Sequence, residues 1–109
     1  MGEIEKIIRE ILKFRNERDW EQYHTGKDLA ICLNIESSEL LENFLWKSDT
    51  DVDRNKLKDE LADVLYSAFL LAAKYDFNIK EIVLDKLEEN KRKYPVNKAM
   101  GSNKKYDKL

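Results

Sequence analysis

Apolar residues recur at three- and four-residue intervals along the chain, and the whole of it reads as helices. The first helix is predicted over about Glu3 to Asp19, with Ile4, Ile7, Ile8, Ile11 and Leu12 on one face. A polar segment follows from Asp19 to Lys27; it carries Trp20, Tyr23 and His24, and Gly26 closes it. Asp28 is the expected start of a second helix running to about Trp46, and Ser48 to Asp53 is a short polar connection. The third helix is predicted over Asn55 to Tyr75 and the fourth over Ile79 to Tyr94, where Pro95 ends it because the residue before a proline disfavours α geometry. Short connections between amphipathic helices predict an all-α, antiparallel four-helix bundle over residues 1–95. Residues 96–109 are polar and basic and read as a separate C-terminal tail, mobile or docked on a partner.

Composition narrows the function. With 109 residues there is room for one domain, and one so small has a modest core that self-assembly would enlarge. The net charge of −2 argues against binding a nucleic-acid polymer, which needs a surplus of Lys and Arg. No stretch approaches the ~20 apolar residues that span a bilayer, and no signal peptide is evident at the N-terminus, so no membrane partner is expected. Cys32 is the single cysteine, which fits a reducing, cytoplasmic setting.

The carboxylates change the picture most. On the second helix Leu29, Leu33, Leu40 and Phe44 form an apolar stripe with Cys32 at its margin. Glu36 projects from the middle of that stripe, and Glu39 from its edge about 60° away. On the third helix Leu57, Leu61, Val64, Ala68, Leu71 and Tyr75 form the stripe, with Glu60 and Asp63 along one flank and Ser67 a turn further on. A lone Glu-x-x-Glu in a charged helix is ordinarily a solvated face. Here two acidic pairs at i, i+3 each sit on or beside a face that should be buried, where an unpaired carboxylate is costly. Four such groups between antiparallel helices make a hard, all-oxygen site suited to Mg²⁺ or Mn²⁺. No His stands at i+3 from these acids, so the Glu-x-x-His signature of di-iron bundles is missing.

Cations and aromatics complete the candidates. Ile79, Ile82, Val83 and Leu87 give the fourth helix its inner stripe, and Lys86, Asn90 and Lys93 continue that line. Lys and Asn donors suit a phosphate chain held on Mg²⁺, although such lysines also snorkel with their stems on the core. Trp20, Tyr23, His24 and Trp46 can stack on or hydrogen-bond to a nucleobase, as they can equally be ordinary packing.

Glu36-Ser-Ser-Glu39 followed by Glu60-Leu-Ala-Asp63 resembles the ExxE…ExxD motif of the MazG-like nucleotide pyrophosphohydrolases, in the all-α NTP pyrophosphatase superfamily. Glu17-Arg-Asp-Trp-Glu-Gln-Tyr-His24, Phe44-Leu-Trp-Lys47, Glu60-Leu-Ala-Asp-Val-Leu65 and Asn90-Lys-Arg-Lys-Tyr-Pro95 are similar to the dCTP pyrophosphatase-like branch. The resemblance implies Mg²⁺ dependence, assembly as a dimer or a dimer of dimers, and cleavage of a nucleoside triphosphate to a monophosphate and pyrophosphate. It implies Glu36, Glu39, Glu60 and Asp63 as metal ligands, with Glu36 or Glu39 acting on the attacking water. Trp20, His24 and Trp46 match nucleoside-contacting positions, and Lys86, Asn90, Lys93 and Tyr94 an element assigned to phosphates. Two departures stand out. Ile35 replaces the second Glu of many MazG proteins, and Ser67 stands where a Tyr can follow the metal Asp, Tyr66 falling elsewhere on the wheel.

A rival from another class is a non-catalytic helical module that only assembles. Its support is the second helix, where Ile31, Ile35, Leu41 and Leu45 make a further apolar side. Dimerisation of an enzyme would bury that side as well.

Overall fold

The computed structural model describes residues 1–109 and is all-helical, with four substantial helices as the periodicity predicts. They are α1 (Glu3–Glu17), α2 (Gly26–Glu42), α3 (Arg54–Lys74) and α4 (Ile79–Lys93), followed by the short α5 (Val96–Ala99) and a 3₁₀ turn at Tyr106–Lys108. None is long and apolar enough to cross a membrane. The chain divides into two compact units, Met1–Phe77 and Asn78–Leu109.

Caps fix the helix starts. Thr25 Oγ1 accepts from the Asp28 N–H, so α2 begins at Gly26, two residues before the expected Asp28. Asp53 Oδ1 accepts from the N–H groups of Asn55 and Lys56 at the start of α3, and Asn78 Oδ1 from Glu81 at the start of α4. The end of α2 comes earlier than Trp46. The Asn43 side chain donates to the carbonyls of Glu39 and Leu40, using acceptors that another turn would need, and the chain leaves the helix at Glu42.

In the first unit α2 and α3 pack antiparallel. Gly26, first in α2, lies against the Tyr75 ring just past the end of α3, and its missing Cβ is what leaves space for the Tyr75 hydroxyl. Phe14 near the end of α1 meets Tyr66 in α3 at 6.3 Å between centroids, edge to face. The buried apolar core is small: Leu29, Leu70 and Ala72, beside the buried Ser67 and Arg15. Of the expected α3 stripe, Leu57, Val64, Ala68 and Leu71 are half-buried, whereas Leu61 and Tyr75 are exposed. The difference arises because α3 packs on both α1 and α2, which moves the centre of its buried arc to Ser67 and Leu70. On α2 the second apolar side stays open, with Ile31, Ile35, Leu41 and Leu45 at 46, 48, 60 and 49% exposure.

The second unit is α4 and the C-terminal segment. On α4, Ile79 is half-buried, while Ile82, Val83 and Leu87 are exposed. The segment 96–109 is partly regular: α5 and the terminal 3₁₀ turn are formed, and Leu109 is half-buried.

Candidate active site

The antiparallel pairing of α2 and α3 brings carboxylates from the two helices together. Oxygens of Glu36, Glu60 and Asp63 all lie within 4.8 Å of one another. The spacing follows from local geometry, since i, i+3 places Glu60 and Asp63 on one flank of α3, opposite the middle of α2. Glu39 lies outside that closest set but near enough for its charge to act on both Glu36 and Glu60.

Electrostatics at this point are unfavourable without a cation. Burial raises the Glu36 carboxyl above its ordinary range, and Glu39, Asp63 and Glu60 push it the same way. Glu60 is raised by loss of solvation, then by Glu39 and Asp63, with Glu42 and Asp59 adding to it. Glu36 Oε2 is buried and has no hydrogen-bond partner. An orphaned carboxylate oxygen facing two more carboxylates is what a hard divalent cation satisfies, so the donor set fits such an ion.

This crowding has a measurable consequence. Glu36→Gln is expected to raise the melting midpoint of metal-free protein by a few degrees at neutral pH. The sign follows from linkage. A carboxyl whose folded-state pKa lies above its unfolded value destabilises the fold once pH exceeds the folded value, and the penalty vanishes below the unfolded one. The gain should therefore disappear in acid and reverse when Mg²⁺ saturates the wild type. A melt in chelator across pH checks this; equal midpoints for both proteins throughout would refute the repulsion.

Beside the acids lies an open groove of about 720 Å³, lined by Ile7, Ile11, Phe14 and Trp20 on one side and by Asp63 and Tyr66 on the other. Phe14 organises it: Trp20 packs edge-on at 5.6 Å, and the Arg18 guanidinium sits 3.8 Å from the Phe14 ring centre. Burial pushes the Tyr66 hydroxyl up in pKa. Tyr66 thus shares the groove with Asp63, contrary to the wheel, while Ser67 is buried in the core and offers nothing to a ligand.

The remaining candidates are dispersed. His24 is half-buried with Nδ1 unpartnered; burial, then the nearby Arg15, lower its pKa and keep the ring neutral at pH 7. Trp46 stands fully exposed, at 101%, on a residue with φ of 63°. It plugs nothing in its own chain. On α4, Lys86 and Lys93 both pair with Glu89, at 3.2 and 3.1 Å, and Asn90 is half-buried in the last turn of the helix. Tyr94 packs against Tyr106.

Residues 31–109 match the MazG-like family. Over 114 aligned residues the chain is 39% identical to dCTP pyrophosphatase 1 of Mus musculus, covering 97% of this chain and 67% of that protein. The chain belongs to the MazG-like family. The Homo sapiens dCTP pyrophosphatase 1 is similar at 38% identity over the same shares. A crystal structure of a pyrophosphatase from Archaeoglobus fulgidus superposes with a TM-score of 0.81 at 35% identity, covering 87% of this chain and 94% of that one. Within this MazG-like chain, Phe14 and Tyr66 are the aromatic groove residues that the helical pattern did not single out, and Lys6 and Glu10 line the groove beside them. The signal was present: Phe14 continues the series Ile4, Ile7, Ile11, and Tyr66 continues Glu60, Asp63 at three-residue steps.

Proposed function

We propose that this protein is a Mg²⁺-dependent nucleoside triphosphate pyrophosphohydrolase, converting a (d)NTP, with dCTP or a modified relative foremost, to the monophosphate and pyrophosphate. One observation carries the reading: Glu36, Glu60 and Asp63 converge, and Asp63 also lines the aromatic groove holding Trp20. A divalent-cation site and a largely apolar groove share a wall, as a nucleoside polyphosphate requires. The name of the murine relative supports the choice of base.

In this reading Glu36, Glu60 and Asp63 hold the ion, and Glu39 is a fourth ligand or stands beside it. Bound Mg²⁺ (or Mn²⁺ in its place) supplies charge neutralisation of the triphosphate and polarisation of the α-phosphate. Trp20 stacks on the base and Tyr66 walls the groove opposite, while His24 or the exposed Trp46 supplies further nucleoside contacts. Glu39 is exposed at the edge of the cluster, which suits it to orient the attacking water and accept its proton, with Glu36 the other candidate for that role. The new bond forms between water oxygen and the α-phosphorus, the α–β bridging bond breaks, and pyrophosphate departs. Lys86, Asn90, Lys93 and Tyr94 are the positions that the resemblance assigns to phosphates, and their donors suit that role.

Self-assembly as a dimer or a dimer of dimers belongs to the same proposal. The open apolar side of α2 and the exposed Leu61 and Leu65 of α3 are more surface than so small a core leaves unexplained. A cytoplasmic setting is supported by the single, unpaired Cys32.

The direct test is chromatography of products from a nucleotide panel. With Mg²⁺, dCTP should give dCMP and pyrophosphate in equal amounts, and chelator should stop the reaction. Release of orthophosphate with dCDP would refute α–β cleavage, and no turnover of any nucleotide would leave the assembly module as the better reading.

A further inference from the structure

The wall of the groove that carries Trp20 is built by the way α1 ends. Arg18 caps the helix, and Asp19 follows in the left-handed region with φ of 54°, which turns the chain back. The Trp20 N–H then donates to the Arg15 carbonyl and the Asp19 N–H to that of Asn16, both at 3.1 Å. These are the paired bonds of a Schellman motif, in which the residue after the left-handed one packs on the last turns of its helix. Here that contact is Trp20 on Phe14. Arg15 holds the same segment with its side chain. It is buried; its Nε and Nη2 donate to Asn16 Oδ1 at 3.0 and 2.9 Å, and Nη2 lies 3.5 Å from the carboxylate of Glu21, the next residue after Trp20. After burial, the Arg15 charge is the largest influence on the ionisation of His24 and of Tyr66, so the guanidinium is close to the turn and to α3 alike.

We propose that Arg15 is a positioning residue for the nucleoside, fixing the Trp20 wall of the groove through its own carbonyl and, by way of Glu21, through its guanidinium. The inference rests on the reading of the groove as the nucleoside slot, and every group in it lies within the unit Met1–Phe77. A buried, charge-paired arginine is seldom worth more to stability than an apolar side chain of its size, so stability alone is a poor reason for one here. What the guanidinium adds is direction. One tie reaches the Trp20 N–H and the other the side chain of Glu21, so the backbone that carries the tryptophan is held on both sides of it. A ring already fixed against Phe14 has little freedom left to lose when a base stacks on it, and that saving is expressed as affinity.

Positioning of this kind acts on the nucleoside end of the substrate alone. With dCTP and Mg²⁺, Arg15→Met, which keeps a buried apolar stem, is expected to raise KM about two- to fivefold and leave kcat nearly unchanged. Inorganic tripolyphosphate, which has no base, should inhibit both proteins equally at fixed free Mg²⁺. Glu21→Ala should raise KM in the same way, and Glu21→Gln, which keeps an acceptor for the guanidinium, should recover most of the loss. The Glu21 side chain is 63% exposed, so its removal leaves the fold intact, and a helical melt confirms that for each variant. The Arg15→Met and Glu21→Ala effects should not add in a double-mutant cycle. A second measurement needs no turnover: with Trp46→Phe as background, the fast local component of the Trp20 fluorescence anisotropy decay should grow in Arg15→Met and in Glu21→Ala. If Trp20 moves no more freely in either variant, the positioning role is wrong, whatever the enzyme does. If inhibition by tripolyphosphate weakens in step with the rise in KM, the whole site has been disturbed and the role is again wrong. If Trp20 is freed while KM for dCTP holds, the groove is not the nucleoside slot, and the inference falls with that reading.

Discussion

Asp63→Asn is expected to lower kcat by about 10²–10³-fold, the loss typical when a group that stabilises charge in the transition state is removed. Asp63 is the one residue that both joins the carboxylate cluster and lines the aromatic groove. The substitution keeps size and shape and removes one negative charge from a set of acids that repel one another, so the fold should survive it. Glu60→Gln should behave alike, because its carboxylate is the other α3 arm of the cluster. The loss belongs in kcat and in the Mg²⁺ concentration needed for half-maximal rate, with base preference unchanged. Steady-state rates over a Mg²⁺ titration, run beside helical circular dichroism, check it. An Asp63→Asn enzyme that turns over normally at low Mg²⁺ would end the metal assignment, because no other carboxylate on α3 is within reach of both Glu36 and the groove.

The cluster was legible in the sequence because two independent patterns pointed at it. Each acidic pair had i, i+3 spacing, and each lay against an apolar stripe of its own helix; antiparallel packing then needed only to bring the middles of α2 and α3 level. The groove was less legible. A helical wheel drawn for α3 alone puts Tyr66 off the stripe that meets α2, and α3 has a second partner, α1, whose Phe14 is what Tyr66 meets. The same cause misplaces Leu61 in the core and sets Ser67 on the flank of the stripe when the structure buries it. Helix ends failed for a local reason. Asp28 has the side chain of a good cap, yet Thr25 three residues earlier takes its N–H. At the other end of α2, the amide of Asn43 takes two carbonyls of the last turn, which no apolar periodicity records. Glu89 was hidden among alternating charges on α4, and only distance separates it from Glu88, which pairs with Lys91 instead.

Two inactive variants, Glu39→Gln and Trp46→Ala, are expected to restore activity to each other when unfolded and refolded together. The motive is the position of Trp46. It is fully exposed, held at a positive φ where a bulky side chain is uncommon, and in contact with nothing that would explain its place. Trp20 already lines the groove at Asp63, and it precedes α2, whereas Trp46 follows it. The 17 residues of α2 make a helix about 25 Å long, so the two tryptophans stand near opposite ends of it. In an antiparallel dimer through the open side of α2, the Trp46 end of one subunit comes beside the Trp20 end of its partner. Each pocket would then take its acids from one subunit and Trp46 from the other. A mixed dimer has one pocket carrying both lesions and one carrying neither. With random pairing half the dimers are mixed, so the mixture should show about a quarter of wild-type specific activity. Native mass spectrometry confirms that mixing occurred. If mixed dimers form and remain as inactive as either parent, each subunit holds a complete pocket, and Trp46 owes its exposure to something other than a partner's substrate.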